Sequence, residues 1–127
     1  MLVTALVLAA LAAALHVYIF AMESLWWTTP RVRATFGLSE DEARASRVMA
    51  LNQGFYNLFL AVVTAAGIVA WAAGSHGVGA ALVIAGVGSM LAASLVLIAS
   101  DRTKASAAIK QGTVPLLALA ALAISAL

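Results

Sequence analysis

Two ionisable side chains near the start of the chain could do acid–base work. His16 and Glu23 are set into MLVTALVLAALAAALHVYIFAMESLWW, among Leu, Ala, Val, Ile and Phe. Seven residues of helix rise about 10.5 Å, roughly two turns, so the imidazole and the carboxyl leave one face. Ala9, Ala12, Ile19, Phe20 and Trp27 share that stripe. Ionisable groups in a lipid-spanning helix are costly and by default face a functional interior. A second polar set stands in NQGFYN: Asn52, Gln53, Tyr56 and Asn57, around Gly54. Asn52 and Tyr56 stack at i, i+4, as do Gln53 and Asn57, and together they cover an arc of roughly 140°. Gly54 would let another helix, or a ligand, approach the backbone. Gln111 completes the set.

Several chemistries are excluded. A His and a Glu seven apart lack the close ligand pairs of zinc helices, and there is no second intramembrane His, so no metal site is expected. No strand–turn–helix nucleophile elbow is present, and no glycine-rich phosphate loop. The absence of cysteine removes disulfides, thiol redox chemistry and thiolate ligands. No motif identifies a cofactor or assigns a catalytic residue.

The elements that must position these groups are membrane helices. The 127 residues are 65% hydrophobic and 9% charged, far from the balance of a soluble globule. Four apolar stretches, at about 2–27, 48–73, 78–100 and 107–127, are long enough to cross a bilayer. The expectation is a single all-α membrane domain: four transmembrane helices in an antiparallel bundle, the second extended into the cytoplasm. The first stretch is read as a retained span and not a cleaved signal peptide, because no basic residue precedes its long core and Trp26 and Trp27 end it like an interface.

Pro30 ends the first helix, and a polar connection containing Arg31, Arg33 and Gly37 follows. Ser39 with Glu42 fits a capping box, and Glu40 and Asp41 suit a helix N-terminus. That helix starts in water and enters the membrane from about Met49, with Trp71 at the far interface. Gly74-Ser75-His76-Gly77 is a tight turn. In the third span Ala81, Ala85, Ser89 and Ala93 recur every four residues, a small-residue face expected to pack within the chain. Asp101, Arg102, Thr103 and Lys104 form the last connection, with Asp101 and His76 read as solvated. Pro115 should kink or loosen the fourth helix.

Orientation follows from charge. All seven basic residues lie in or beside the first and third connections, which the positive-inside rule assigns to the cytoplasm, with both termini outside. This accounts for the basic balance without nucleic acid as a partner. The lipid bilayer is the expected surrounding, and four short helices leave so little interior that a homo-oligomer is expected too.

Depth brings the polar groups together. With Trp26 and Trp27 at the interface, Glu23 lies about one turn inside and His16 near mid-bilayer. Asn52, Gln53 and Gln111 enter from the same side. The expectation is a polar pocket in the cytoplasmic half, lined by Glu23, Asn52, Gln53, Tyr56, Asn57 and Gln111, with His16 at its floor and Lys110 and Arg102 near its mouth. The plainer alternatives are that the amides only join helices, that Glu23 snorkels or pairs with a basic residue, and that His16 donates to one carbonyl.

HVYIFAMESLWW, NQGFYNLFLA and KQGTVPLLALAAL together resemble the membrane family catalogued as domain of unknown function 1304, over nearly the whole chain. The resemblance implies four spans and a bacterial-type integral membrane protein, and it supplies no reaction; the expected location is the cell (inner) membrane. It singles out His16, Glu23, Asn52, Gln53, Tyr56, Asn57, Gln111 and Pro115. Small multidrug exporters are similar in size and in carrying one carboxylate in the first helix, although Glu23 lies nearer the interface. Membrane-bound glutathione-using enzymes are similar in having four spans and a polar cytoplasmic layer, but the Arg47-to-Asn52 spacing departs from their pattern. Shared architecture does not establish shared function. The expected function is binding or proton-coupled transport of a small molecule, with Glu23 as the ionisable element. The alternatives are an accessory subunit, or an enzyme with Tyr56 or His16 as acid or base and Arg47 and Lys110 attracting an anionic group.

Overall fold

Four long apolar helices build the protein, and each is long enough to cross a membrane. The structure, a computed structural model, describes residues 1–125. The helices are α1 (Leu2–Phe20), the short α2 (Pro30–Phe36), α3 (Glu40–Ala72), α4 (His76–Ser100) and α5 (Ala105–Ser125). The spans at about 48–73, 78–100 and 107–127 correspond to α3, α4 and α5, and residues 126 and 127 lie outside the described part. α1 packs against α3 and α5, and α4 packs against the same two, while α1 and α4 touch only slightly. Ala9, Val83, Val87 and Ala118 meet in the centre.

The first span is not one uniform helix to Trp27. Over Ala21–Leu25 it widens to a π-helical turn, closed by Trp26 N–H donating to the Ala21 carbonyl at 3.0 Å. Such one-residue insertions are rare and often lie at functional sites. This one contains Glu23.

The first connection also differs from the expected loop. Pro30 does not end the first helix, which stops at Leu25; it begins α2, because at a first helical position its missing N–H is not needed and its φ is already set. Gly37 closes α2 with φ +67°, a left-handed cap that glycine adopts without penalty. The Lys104 ammonium donates to the Phe36 carbonyl at 3.1 Å and ties the last connection to this short helix. The capping box at Ser39 forms as expected: Glu42 N–H donates to Ser39 Oγ (3.1 Å) and Ser39 N–H to Glu42 Oε2 (2.8 Å).

α3 and α4 meet backbone to backbone. A Cβ on Gly67 would stand 2.7 Å from the Val83 nitrogen and 2.9 Å from the Gly79 oxygen, and one on Gly79 would stand 2.7 Å from the Trp71 nitrogen. The packed face of α4 is Gly79, Val83, Gly86, Met90 and Ser94, all buried. The stripe Ala81, Ala85, Ser89 and Ala93, expected to do this packing, is exposed instead. Small residues are so common in α4 that more than one stripe of them exists, and close backbone approach selects the one with glycine at the contact points. α5 runs unbroken through Pro115, which is buried; the expected loosening does not interrupt the helix. Trp71, half-buried, stacks against His76 at 4.8 Å.

Candidate functional site

Glu23 sits where the π-helical turn of α1 presses on α3. The approach is close because α3 offers no side chain at Gly54: a Cβ there would come within 3.1 Å of Glu23 Cβ and 2.1 Å of Ser24 Oγ. Ser24 Oγ donates to the Leu51 carbonyl at 3.0 Å and fixes the two helices in register. Glu23 is buried. Its Oε2 accepts a 2.8 Å hydrogen bond from Asn57 Nδ2, and the same Nδ2 lies 3.2 Å from the Gln53 backbone carbonyl. The amide therefore spans α1 and α3 and holds its own helix as well.

Among the described residues no cation pairs with this carboxyl. Among the described residues the ion pair is that of Arg44 with Glu40, on the exposed start of α3. Nor is the carboxyl sealed. The fully enclosed, unpaired side-chain nitrogens and oxygens among the described residues are His16 Nε2 and Arg33 Nε, so the second oxygen of Glu23 keeps some access.

His16 is completely buried. Its Nδ1 lies 2.9 Å from the Ala12 carbonyl, and a carbonyl oxygen can only accept, so Nδ1 carries the hydrogen. In the neutral ring Nε2 is then a bare acceptor, enclosed and without a partner. An unpaired buried polar atom is uncommon and calls for an explanation such as a water, an ion or a chemical role. Ala9 and Ala12 of the same stripe are buried, and Ile19, Phe20 and Trp27 are half-buried, so this face of α1 is the interior face.

The other expected site residues are not gathered here. Asn52, Gln53 and Tyr56 are exposed on α3, and Gln111 is half-buried. The reason is angular. Asn52 and Tyr56 each stand two residues from Gly54, about 200° round the helix, so once Gly54 faces α1 they face away. Two concavities stand out, and neither is lined by Glu23, Asn57 or His16. The expected six-residue pocket is thus, within one chain, a tight Glu23–Asn57 contact with an orphaned imidazole on the same interior face. Sequence reasoning missed the π-helical turn and the role of Ser24. The signal for Ser24 was Gly54, whose bare backbone needed something opposite.

A family model covers residues 10–123. The chain belongs to that family. It is the one described as "Protein of unknown function (DUF1304)". No curated protein and no solved structure matches the chain. The match spans His16, Glu23, the whole of α3 and Pro115, so every residue of this site lies inside the family's region.

Proposed function

We propose that this integral membrane protein binds a small solute and moves it, or a proton with it, using Glu23 as the ionisable element. The observation that carries the reading is the buried Glu23 carboxyl, whose hydrogen-bond partner is a neutral amide and not a cation. Gain or loss of a proton there changes the charge of the interior by one, with no fixed counter-charge to balance it. Small conformational differences can then be coupled to protonation. The π-helical turn around Glu23 gives α1 a local irregularity at which it can move, and the bare His16 Nε2 offers a second proton-accepting position deeper on the same face.

The working form is a homo-oligomer in the bacterial inner membrane, with both termini outward. Asn52, Gln53 and Tyr56 project from the chain near the membrane boundary, and amides carry both donor and acceptor, so one such surface can pair with its own copy. The test is solute-driven proton flux into dye-filled vesicles carrying the reconstituted protein, across a panel of small charged and neutral solutes. Flux that Glu23→Gln abolishes supports the reading, and flux unchanged in that variant refutes it.

The tight Glu23–Asn57 contact favours a second reading, an accessory subunit in which the polar residues only join helices. Under it, no solute drives flux, and Asn57 variants affect assembly alone.

A further inference from the structure

A separate feature lies at the basic end of the bundle, where the residues of the carboxyl site are not involved. An open concavity of about 370 Å³ lies there between the end of the first span and the start of α3, lined by Thr28, Glu40, Arg44 and Arg47, all four of them exposed. Its walls are held. Trp27 Nε1 donates to Ser46 Oγ at 3.1 Å, and Ser46 Oγ in turn donates to the Glu42 carbonyl at 2.7 Å. That bridge sets Thr28 opposite the Arg44–Arg47 turn of α3. The Trp27 ring also packs on Phe36 of α2, 5.0 Å between centroids, which braces the wall from behind.

The polar groups lining the concavity are unevenly used. Glu40 and Arg44 neutralise each other as an i, i+4 ion pair. The Arg47 guanidinium and the Thr28 hydroxyl carry no hydrogen bond among the described residues. What remains facing the concavity is one unbalanced positive charge and a free hydroxyl donor, which together suit an anion with several acceptor oxygens.

Depth narrows the anion. Gly54 is level with Glu23 and Ser24, and Arg47 stands seven residues earlier on α3, about 10.5 Å towards the aqueous side. Trp27, beside the concavity, is of the residue type that prefers the membrane boundary. With Trp27 taken as the membrane boundary, the concavity falls at the height of lipid phosphates, just beyond the hydrocarbon.

We infer that this concavity is a phosphate site: Arg47 and Thr28 bind the phosphate group of an anionic lipid headgroup or of a soluble phosphate ester at the membrane boundary. Arg31, exposed on α2, belongs to the same basic end but does not line the concavity. It is the internal control for diffuse attraction between any basic residue and an anionic surface.

The experiment uses the full chain, delipidated in a neutral detergent and checked by circular dichroism. Soluble short-chain phosphatidylglycerol is titrated in one arm and inorganic phosphate in the other, with binding read by calorimetry. Saturable binding of one molecule per chain is expected in at least one arm. Arg47→Gln should weaken it roughly tenfold or more, as for loss of a charge-assisted contact, and Thr28→Val should weaken it by a smaller factor, while Arg31→Gln leaves it within about twofold. Binding of the lipid alone identifies a headgroup site, and binding in both arms identifies a general phosphate site. Equal losses in Arg31→Gln and Arg47→Gln, or no saturable binding in either arm, overturn the inference.

Discussion

Removing the donor from the Glu23–Asn57 contact should cost more than altering the acceptor, and the geometry says by how much. Asn57 Nδ2 is the hydrogen-bond donor to the buried Glu23 carboxyl, at 2.8 Å. Asn57→Ala leaves that oxygen unpaired at a helix–helix contact with no cation to replace the amide. Hydrogen bonds to charged groups contribute about 1.5–3 kcal/mol, while side-chain hydrogen bonds between membrane helices average nearer 0.6 kcal/mol. A loss of about 1.5–2.5 kcal/mol for Asn57→Ala follows, roughly a ten- to seventyfold change in the unfolding equilibrium. Glu23→Gln keeps a carbonyl oxygen at the acceptor position and fits the same space, so it should cost under about 1 kcal/mol. The assay is reversible unfolding in mixed micelles of dodecyl maltoside and SDS, followed by circular dichroism, on both single variants and the double. In Glu23→Gln the further replacement of Asn57 by Ala should cost less than it does in the wild type. Equal costs for the two single variants would refute the asymmetry between donor and acceptor, and strict additivity in the double would refute the claim that the Glu23 carboxyl accepts a stronger bond from Asn57 than a neutral amide does.

Other expectations follow from the same packing. Gly67→Ala forces a methyl into the backbone of α4, where neither neighbour can swing aside. It should destabilise the fold by about 1–3 kcal/mol or more, while Gly77→Ala, in open space, should be neutral in the same unfolding assay. At the last connection, Asp101 accepts from the Thr103 hydroxyl (2.6 Å) and the Thr103 N–H (2.9 Å), and these bonds hold its carboxyl below the usual range. A folded-state value below the unfolded one means the cap is present above the ordinary carboxylate range and is lost as pH falls through the lowered value. Protection of the Thr103 amide against hydrogen exchange, taken relative to the intrinsic rate at each pH, should therefore fall on acidification, whereas in Asp101→Ala it should be low at every pH.

Much of this architecture was legible in the residues, for reasons that differ from place to place. Four spans are a matter of length and apolarity, and the Ser39–Glu42 box is local chemistry that the rest of the chain does not disturb. The meeting of Glu23 with Asn57 was within reach because both depths could be counted from tryptophan anchors. What the chain concealed was direction. In lipid there is no contrast between a water face and a core face, so periodicity could not say which of the small-residue stripes of α4 would pack. The stripe through Gly79, Val83 and Gly86 won because it brings bare backbone to bare backbone, while Ala81 and Ala85 turned outward. Asn52 and Tyr56 were a different matter. Gly54 fixed their direction by simple rotation, but grouping the polar residues by depth alone hid it. The π-helical turn at Ala21–Leu25, which packs against α3, left no trace in AMESL.

The central claim is that Glu23 takes up and releases a proton inside the folded protein. Infrared difference spectroscopy of the reconstituted protein, stepped between mildly acidic and mildly alkaline buffer, observes the carboxyl directly. The account predicts a reversible carboxylic-acid C=O band that is absent in Glu23→Gln and shifted in Asn57→Ala. A difference spectrum that is the same in the wild type and in Glu23→Gln would contradict it.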